Sequence, residues 1–398
     1  MKVVQINTVY KRGSTGKIMA GIESVCEQNG IQTMAAYRYI EDKVNKKDNE
    51  VSISTWLDCH VHNRLSTLTG LQGCFSHFRT FLFLRKVKKF QPDIIHLHNI
   101  HGSFINHRML FSFIKKHNIK TVWTLHDCWS FTGLCPYFDI YDCRKWLKGC
   151  SECPRCQDTV YPLIDTTKLM WKKKKKIHTL PENVSLVTPS KWLADLAKQS
   201  FLAKYPVRVI NNGIDLSIFK PMQGDFREKY GCEDKFIILG VAYEWGRRKG
   251  LDVFIELSKR LNSDYQIVLV GVDPKIEDVI PENIITIHKT DNQKELVKIY
   301  SAVDVFLNPT REDNFPTVNL EALACGTPVM TFNTGGSPES ITNNVGIVVE
   351  CEDINALVEN IVKLKKNRNI SSEDCVNKSK KYDMLNKFEE YVKLYQEL

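Results

Sequence analysis

The chain contains no run of about 18 apolar residues, so no segment is expected to cross a bilayer as a helix. No stretch of 20–50 residues recurs, which excludes a solenoid or propeller built from repeats. Glycine and proline are sparse, at 20 and 14 of 398 residues, which excludes collagen-like or low-complexity chains. The opening MKVVQIN lacks the apolar core and cleavage site of a secretory leader and reads as a first strand. The expected compartment is the cytoplasm.

What is present fits packed globular cores: 43% of residues are hydrophobic and 25% charged, over a length that suits two or three domains. The net charge of +9 is unevenly spread. Residues 1–205 hold 31 Lys and Arg against 16 Asp and Glu, giving +15; residues 206–398 hold 24 against 30, giving −6. Nine of the thirteen cysteines also lie in the first part. A basic half points to an anionic partner: a membrane leaflet, a lipid diphosphate or nucleic acid.

Short β-branched runs alternate with periodic segments of 10–15 residues, twice over. Lys2–Ile6, Thr33–Tyr37, Asp93–Leu97, Thr121–Leu125 and Ser185–Thr188 read as strands of the first set. Val207–Ile210, Phe236–Val241, Tyr265–Val270, Val303–Asn308 and Pro328–Phe332 are among those of the second. Continuous apolar strands separated by helices imply parallel sheets covered on both faces. The expected fold class is α/β, with two doubly wound Rossmann-like domains facing across a cleft. The expected boundaries are 1–205, 206–380 and a C-terminal helix, 381–398, that returns to the first domain.

Gly13-Ser14-Thr15-Gly16-Lys17 follows the first strand. It is not a Walker loop, because two residues rather than four separate the glycines and Ile18 follows the lysine. Gly16 nevertheless suits backbone contact with an anion at a helix N-terminus. The richest stretch runs from Asn308 to Val329. There a strand ends, Asp313 sits in a polar loop, and Glu321 lies one turn into the next helix, placed to accept ribose-like hydroxyls. Gly335-Gly336 follows the next strand and suits backbone approach to a diphosphate.

These residues resemble the retaining glycosyltransferases of the GT-B fold, family 4. Asp313-x7-Glu321-Ala-Leu-Ala-Cys-Gly-Thr-Pro-Val329 is similar to that family's Glu-x7-Glu segment, with Asp in place of the first Glu. Val209-Ile-Asn-Asn-Gly-Ile-Asp215 resembles its interdomain segment, and Arg248-Lys249-Gly250 its diphosphate-holding cations, with Arg247 in reserve. Thr124-Leu-His126-Asp127 is similar to a segment whose histidine lies beside the reacting sugar. The resemblance implies catalytic roles for His126, Asp313 and Glu321, and donor contacts from Gly16, Arg248, Lys249, Asn314, Phe315, Glu321, Gly335 and Gly336. It places His98 and Asp127 on the acceptor side. It implies transfer of a hexose-type sugar from a nucleotide-diphosphate donor to a glycan or lipid-linked acceptor in surface polysaccharide synthesis. No Asp-x-Asp occurs anywhere in the chain, so no divalent metal is expected to be required.

Six cysteines crowd residues 128–156. Cys135, Cys143, Cys150 and Cys153 are candidate ligands of a structural zinc, with unligated thiols and disulfides as alternatives. An iron–sulfur reading of Cys150, Cys153 and Cys156 lacks its fourth cysteine followed by proline. The run Trp171–Ile177, with five consecutive lysines, reads either as a solvated helical surface or as a peripheral contact with an anionic membrane. Two rival functions remain at this level: a basic zinc-knuckle protein that binds nucleic acid, and a GT-B-like sugar-nucleotide epimerase.

Overall fold

The computed structural model describes residues 1–39, 47–157 and 162–398, without the side chains of residues 156 and 157. They divide into two compact units, one formed by Met1–Asn211 with Lys387–Leu398, the other by Asn212–Asn386.

The first unit is built on seven parallel strands: β1 (Lys2–Asn7), β2 (Gln32–Tyr37), β3 (Glu50–Ser52), β4 (Ile94–Leu97), β5 (Lys120–Thr124), β6 (Val184–Thr188) and β7 (Val207–Val209). Their order is β3-β2-β1-β4-β5-β6-β7, so the chain reverses direction of travel between β1 and β4. The helices are α1 (Gly13–Gln28), α2 (Trp56–Thr69), α3 (His77–Phe90), α4 (His107–His117), α5 (Thr167–His178) and α6 (Lys191–Gln199). Val4, Ile6, Ile95, Leu97 and Trp123 alternate along their strands and pack with Phe83 of α3, Phe111 of α4 and Leu193 of α6.

The second unit repeats the pattern with β8 (Phe236–Val241), β9 (Tyr265–Val270), β10 (Ile284–Ile287), β11 (Val305–Asn308), β12 (Val329–Phe332) and β13 (Gly346–Val349), in the order β10-β9-β8-β11-β12-β13. Its helices are α7 (Phe226–Lys229), α8 (Leu251–Arg260), α9 (Gln293–Ala302), α10 (Thr317–Ala324), α11 (Ile354–Asn367) and α12 (Ser372–Ser379). The two-residue period of a strand divides the core in two. Ile237 and Leu239 meet Val297, Tyr300 and Leu320 on one face, whereas Phe236 and Ile238 meet Phe254, Leu257 and Leu357 on the other.

Val207–Val209 corrects the domain boundary. It pairs with β6, so it closes the first sheet rather than opening the second, and the first unit runs to Asn211. A three-residue strand carries no mark of which sheet it will join. The last helix, α13 (Met384–Glu397), is assigned to the first unit from Lys387 onward. It approaches α1 at Gly21, where a Cβ atom would lie 1.9 Å from the Phe388 ring.

Candidate active site

In the second unit the chain reverses between β8 and β11, and the residues after both strands converge there. In such sheets ligands bind outside the strand ends at the reversal. After β8, a single turn of 3-10 helix, Arg247–Lys249, leads into Gly250 at φ +75°, where a Cβ would strike the Pro309 carbonyl at 2.5 Å. After β11 comes Asp313, whose Oδ2 lies 2.6 Å from Lys249 Nζ. Its Oδ1 accepts the Asn314 N–H at 2.9 Å. The Lys249 and Asp313 side chains are only 18% and 17% exposed, so the pair is poorly screened by water.

The turn after β12 rests on the same residue. Gly335 has φ +57°, and a Cβ there would sit 1.9 Å from the Asp313 carbonyl oxygen, which also accepts the Gly336 N–H at 3.3 Å. Only glycine fits both the left-handed backbone and the approach. Gly335→Ala is therefore expected to cost about 1–3 kcal/mol of stability and to displace Asp313. Denaturant unfolding together with donor titration checks this; unchanged values for both would disprove it.

Arg248 donates from Nη1 to the Glu312 carbonyl at 3.3 Å, and its own carbonyl accepts the Arg311 N–H. Arg311 was not singled out from the sequence. It is 6% exposed and pairs with both Asp252 and Glu352, and its Nη1 donates to the Arg247 carbonyl. These partners raise its pKa and clamp the cationic turn against the loop after β11. Glu321 on α10 accepts the Tyr300 hydroxyl of α9 at 3.1 Å. Burial, followed by the Glu321 charge, holds that hydroxyl protonated. Asn319, two residues before Glu321, bonds Asn308 and Ser337, and Ser337 bonds Thr331. This buried chain ties the ends of β11 and β12 to α10. Tyr300, Asn319 and Ser337 carried no sequence signal beyond being polar in apolar surroundings. Phe315, an expected donor contact, is 3% exposed, with its ring 5.6 Å from that of Tyr382.

In the first unit, His98 follows β4 and His126 follows β5. Their rings stack 14° from parallel, with His98 Nδ1 3.2 Å from His126 Nε2. Gln5 fixes their protons. Its amide nitrogen donates to the Met19 carbonyl, so its oxygen faces His98 Nε2 at 3.2 Å. His98 Nε2 therefore carries the proton, and His98 Nδ1 accepts from His126 Nε2–H. Burial pushes His98 well below the ordinary histidine range and His126 down to about 4, so both rings are neutral at pH 7. Asp127 accepts the Trp129 N–H at 2.8 Å and lies 3.0 Å from His101 Nε2, a partner the sequence reading passed over. Burial opposes the Asp127 charge, but His101 and the Trp129 N–H bring its pKa below the usual carboxylate value. His96 is fully buried between Thr124 and Tyr395 of α13. Gly16 is buried against the Tyr10–Lys11 backbone, which explains its lack of a side chain without a ligand.

The cysteine loop departs from a preformed metal centre. Among the described residues no group of three or more His, Cys, Asp or Glu is arranged to hold a metal ion, so Cys135, Cys143, Cys150 and Cys153 do not form a four-thiolate site here. Cys156, of the iron–sulfur reading, has its side chain outside those described. Cys150 Sγ accepts the Gly133 N–H, and burial raises the Cys135 and Cys150 thiols to about 12 and about 11. Lys174 also corrects the solvated-surface reading of the lysine run. It is 2% exposed, donates to the Trp129 carbonyl at 2.7 Å and lies 3.2 Å from the Trp129 ring centre, while its neighbours Lys172, Lys175 and Lys176 are exposed. Burial pushes its pKa down to about 7.

Comparison with known proteins defines the class. Residues 44–218 match the profile "Glycosyltransferase Family 4" and residues 222–382 match "Glycosyl transferases group 1". The chain is 24% identical over 381 residues to the putative colanic acid biosynthesis glycosyl transferase WcaC of Escherichia coli K12, covering 90% of each. It is 28% identical over 204 residues to an Escherichia coli UDP-Gal:alpha-D-GlcNAc-diphosphoundecaprenol alpha-1,3-galactosyltransferase, covering 46% of this chain and 51% of that one. Anabaena Alr3699/HepE, solved in complex with UDP-glucose, superposes with a TM-score of 0.66 at 12% identity, covering 100% of each chain. Two parallel α/β units with these likenesses make the protein a glycosyltransferase of the GT-B fold. It belongs to the group 1 glycosyltransferases, family 4.

Proposed function

We propose that the enzyme transfers a hexose-type sugar from a nucleotide-diphosphate donor to a glycan or lipid-linked acceptor during surface polysaccharide assembly, with retention of configuration and without a divalent metal. The observation that carries this reading is the meeting of Lys249, Asp313 and the Gly335-Gly336 turn where the second sheet reverses. The relatives support the substrate class: one is named for colanic acid synthesis, another for transfer to a diphosphoundecaprenol acceptor, and a structural neighbour holds UDP-glucose.

Breaking the anomeric C–O bond leaves negative charge on a diphosphate, and fixed cations and N–H dipoles aimed at that charge supply the largest share of catalysis. Lys249, Arg248 and the Gly335–Gly336 amides take the place a metal ion fills in other transferases. Glu321, braced by Tyr300, positions the donor's hydroxyls, and Asp313 orients Lys249 and the sugar. Neither attacks the sugar. The acceptor oxygen enters on the face the leaving group vacates, and the departing phosphate takes its proton. His126, neutral and aligned by His98, and Asp127 serve the acceptor side.

Glu321→Ala is expected to reduce transfer about 10²-fold, since donor positioning fails. Wild-type transfer is expected to persist in EDTA and to give a product with the donor's anomeric configuration. Wild-type rates in the variant would refute the donor site, loss of activity with EDTA would refute metal independence, and an inverted product would refute retention.

A further inference from the structure

Among its described residues, the first unit leaves an apolar face uncovered. Along α2, Leu57, Val61, Leu65 and Leu68 recur at helical spacing and are 65, 51, 37 and 54% exposed. The opposite stripe, Cys59, His62 and Ser66, is buried against the unit. Next to α2, α3 exposes Phe78 and Phe81 while burying Thr80, Phe83 and Val87. Asp58 joins the two helices by pairing with Arg79 at 2.7 Å, and His62 bonds Ser76. Leu163 and Ile164 extend the face, because the Leu163 N–H donates to the Thr67 carbonyl beside the end of α2. Exposed apolar side chains grouped in this way mark an interaction surface.

The charges around it select the partner. Phe78, Phe81, Arg85 and Lys89 follow one stripe of α3, with the Arg85 guanidinium over the Phe81 ring. Arg79, Arg85, Lys86 and Lys89 line one cavity at that end. Helix α3 contains no acidic residue, and α2 contains only Asp58, already paired with Arg79. Aromatic and aliphatic side chains bordered by cations suit a bilayer interface with anionic headgroups. We propose that α2, α3 and Leu163–Ile164 form the surface by which the enzyme docks on an anionic membrane, with apolar side chains inserted and α3 cations on the headgroups. Helices α2 and α3, rather than the exposed lysines of α5, carry this contact in the proposal. The inference deepens the proposed function and rests on its lipid-linked acceptor.

The test is flotation of the full chain with vesicles of phosphatidylglycerol and phosphatidylcholine, and with phosphatidylcholine alone. Wild type is expected to float mostly with the anionic vesicles. Leu57→Glu/Leu65→Glu is expected to lower the floated fraction at least fivefold while unfolding at the wild-type midpoint, since both residues point to solvent. Lys172→Glu/Lys176→Glu on α5 is expected to float as wild type does. Failure of wild type to float, equal flotation of the α2 variant, or loss confined to the α5 variant would each overturn the proposal. So would a wild-type dimer in sedimentation that the α2 substitutions dissolve, because the face would then cover a second copy. Donor binding measured by UDP titration reads the transferase reading separately: it is expected to be unchanged in the α2 variant, and its absence from wild type would count against the donor site but not against docking.

Discussion

Lys249→Met is expected to lower kcat/KM for sugar transfer about 10³-fold, because one substitution removes a cation and exposes an anion. Loss of a single preorganised donor from a site where negative charge develops costs about 10²–10³ in rate. Here the Asp313 carboxylate, 2.6 Å from Lys249 Nζ, would be left without that partner and would repel the incoming diphosphate. Methionine keeps the length and apolar stem of lysine, so packing is preserved. Steady-state kinetics check it, with Asp313→Asn alongside. That variant keeps the cation and removes the anion, and is expected to lose less. A Lys249→Met enzyme within tenfold of wild type would place the donor diphosphate elsewhere.

Acidification from pH 7.5 to 5 is expected to destabilise the first unit by several kcal/mol and leave the second much less affected. Ten of the eleven histidines lie in the first unit. Burial holds His96, His98 and His178 well below their ordinary pKa, His62 and His126 at about 4 and His107 at about 3. The unfolded chain, with histidines near 6.5, binds more protons than the folded one throughout this window. Their neutral burial therefore contributes stability above about pH 6.5 that is lost as pH falls towards 4. At pH 5 each such histidine costs about 2 kcal/mol, and several together are large against a usual stability of about 5–15 kcal/mol. Six of the seven tryptophans, all but Trp245, lie in the first unit, so tryptophan fluorescence follows its unfolding. Calorimetry run in parallel is expected to resolve an early transition at pH 5 that carries the fluorescence change. A fluorescence midpoint that does not move between these pH values would disprove the reading.

How much of the site was legible depended on whether its signal was local. Asp313, Glu321 and the paired glycines stand at strand ends within one continuous stretch, and Lys249-Gly250 follows another strand end. Spacing alone places each near a ligand edge. Residues that act through long-range contact gave no such signal. Tyr300 reaches Glu321 from another helix, Arg311 clamps the Arg247–Lys249 turn, and Gln5 on β1 sets the protons of histidines that follow two other strands. Helix α2 carries its apolar stripe at helical spacing, but spacing alone does not say that this stripe is left exposed while Cys59, His62 and Ser66 are buried.

By itself the sequence determined two α/β sets, the basic and acidic halves, and the motifs at the strand ends, because strand period and strand–loop order are properties of neighbouring residues. Tertiary structure alone decided which sheet Val207–Val209 joins, that Lys174 is buried among exposed lysines, and that the apolar face of α2 remains open. Each depends on how an element is rotated and stacked against elements distant in the chain. That rotation is fixed by the packing of the whole core.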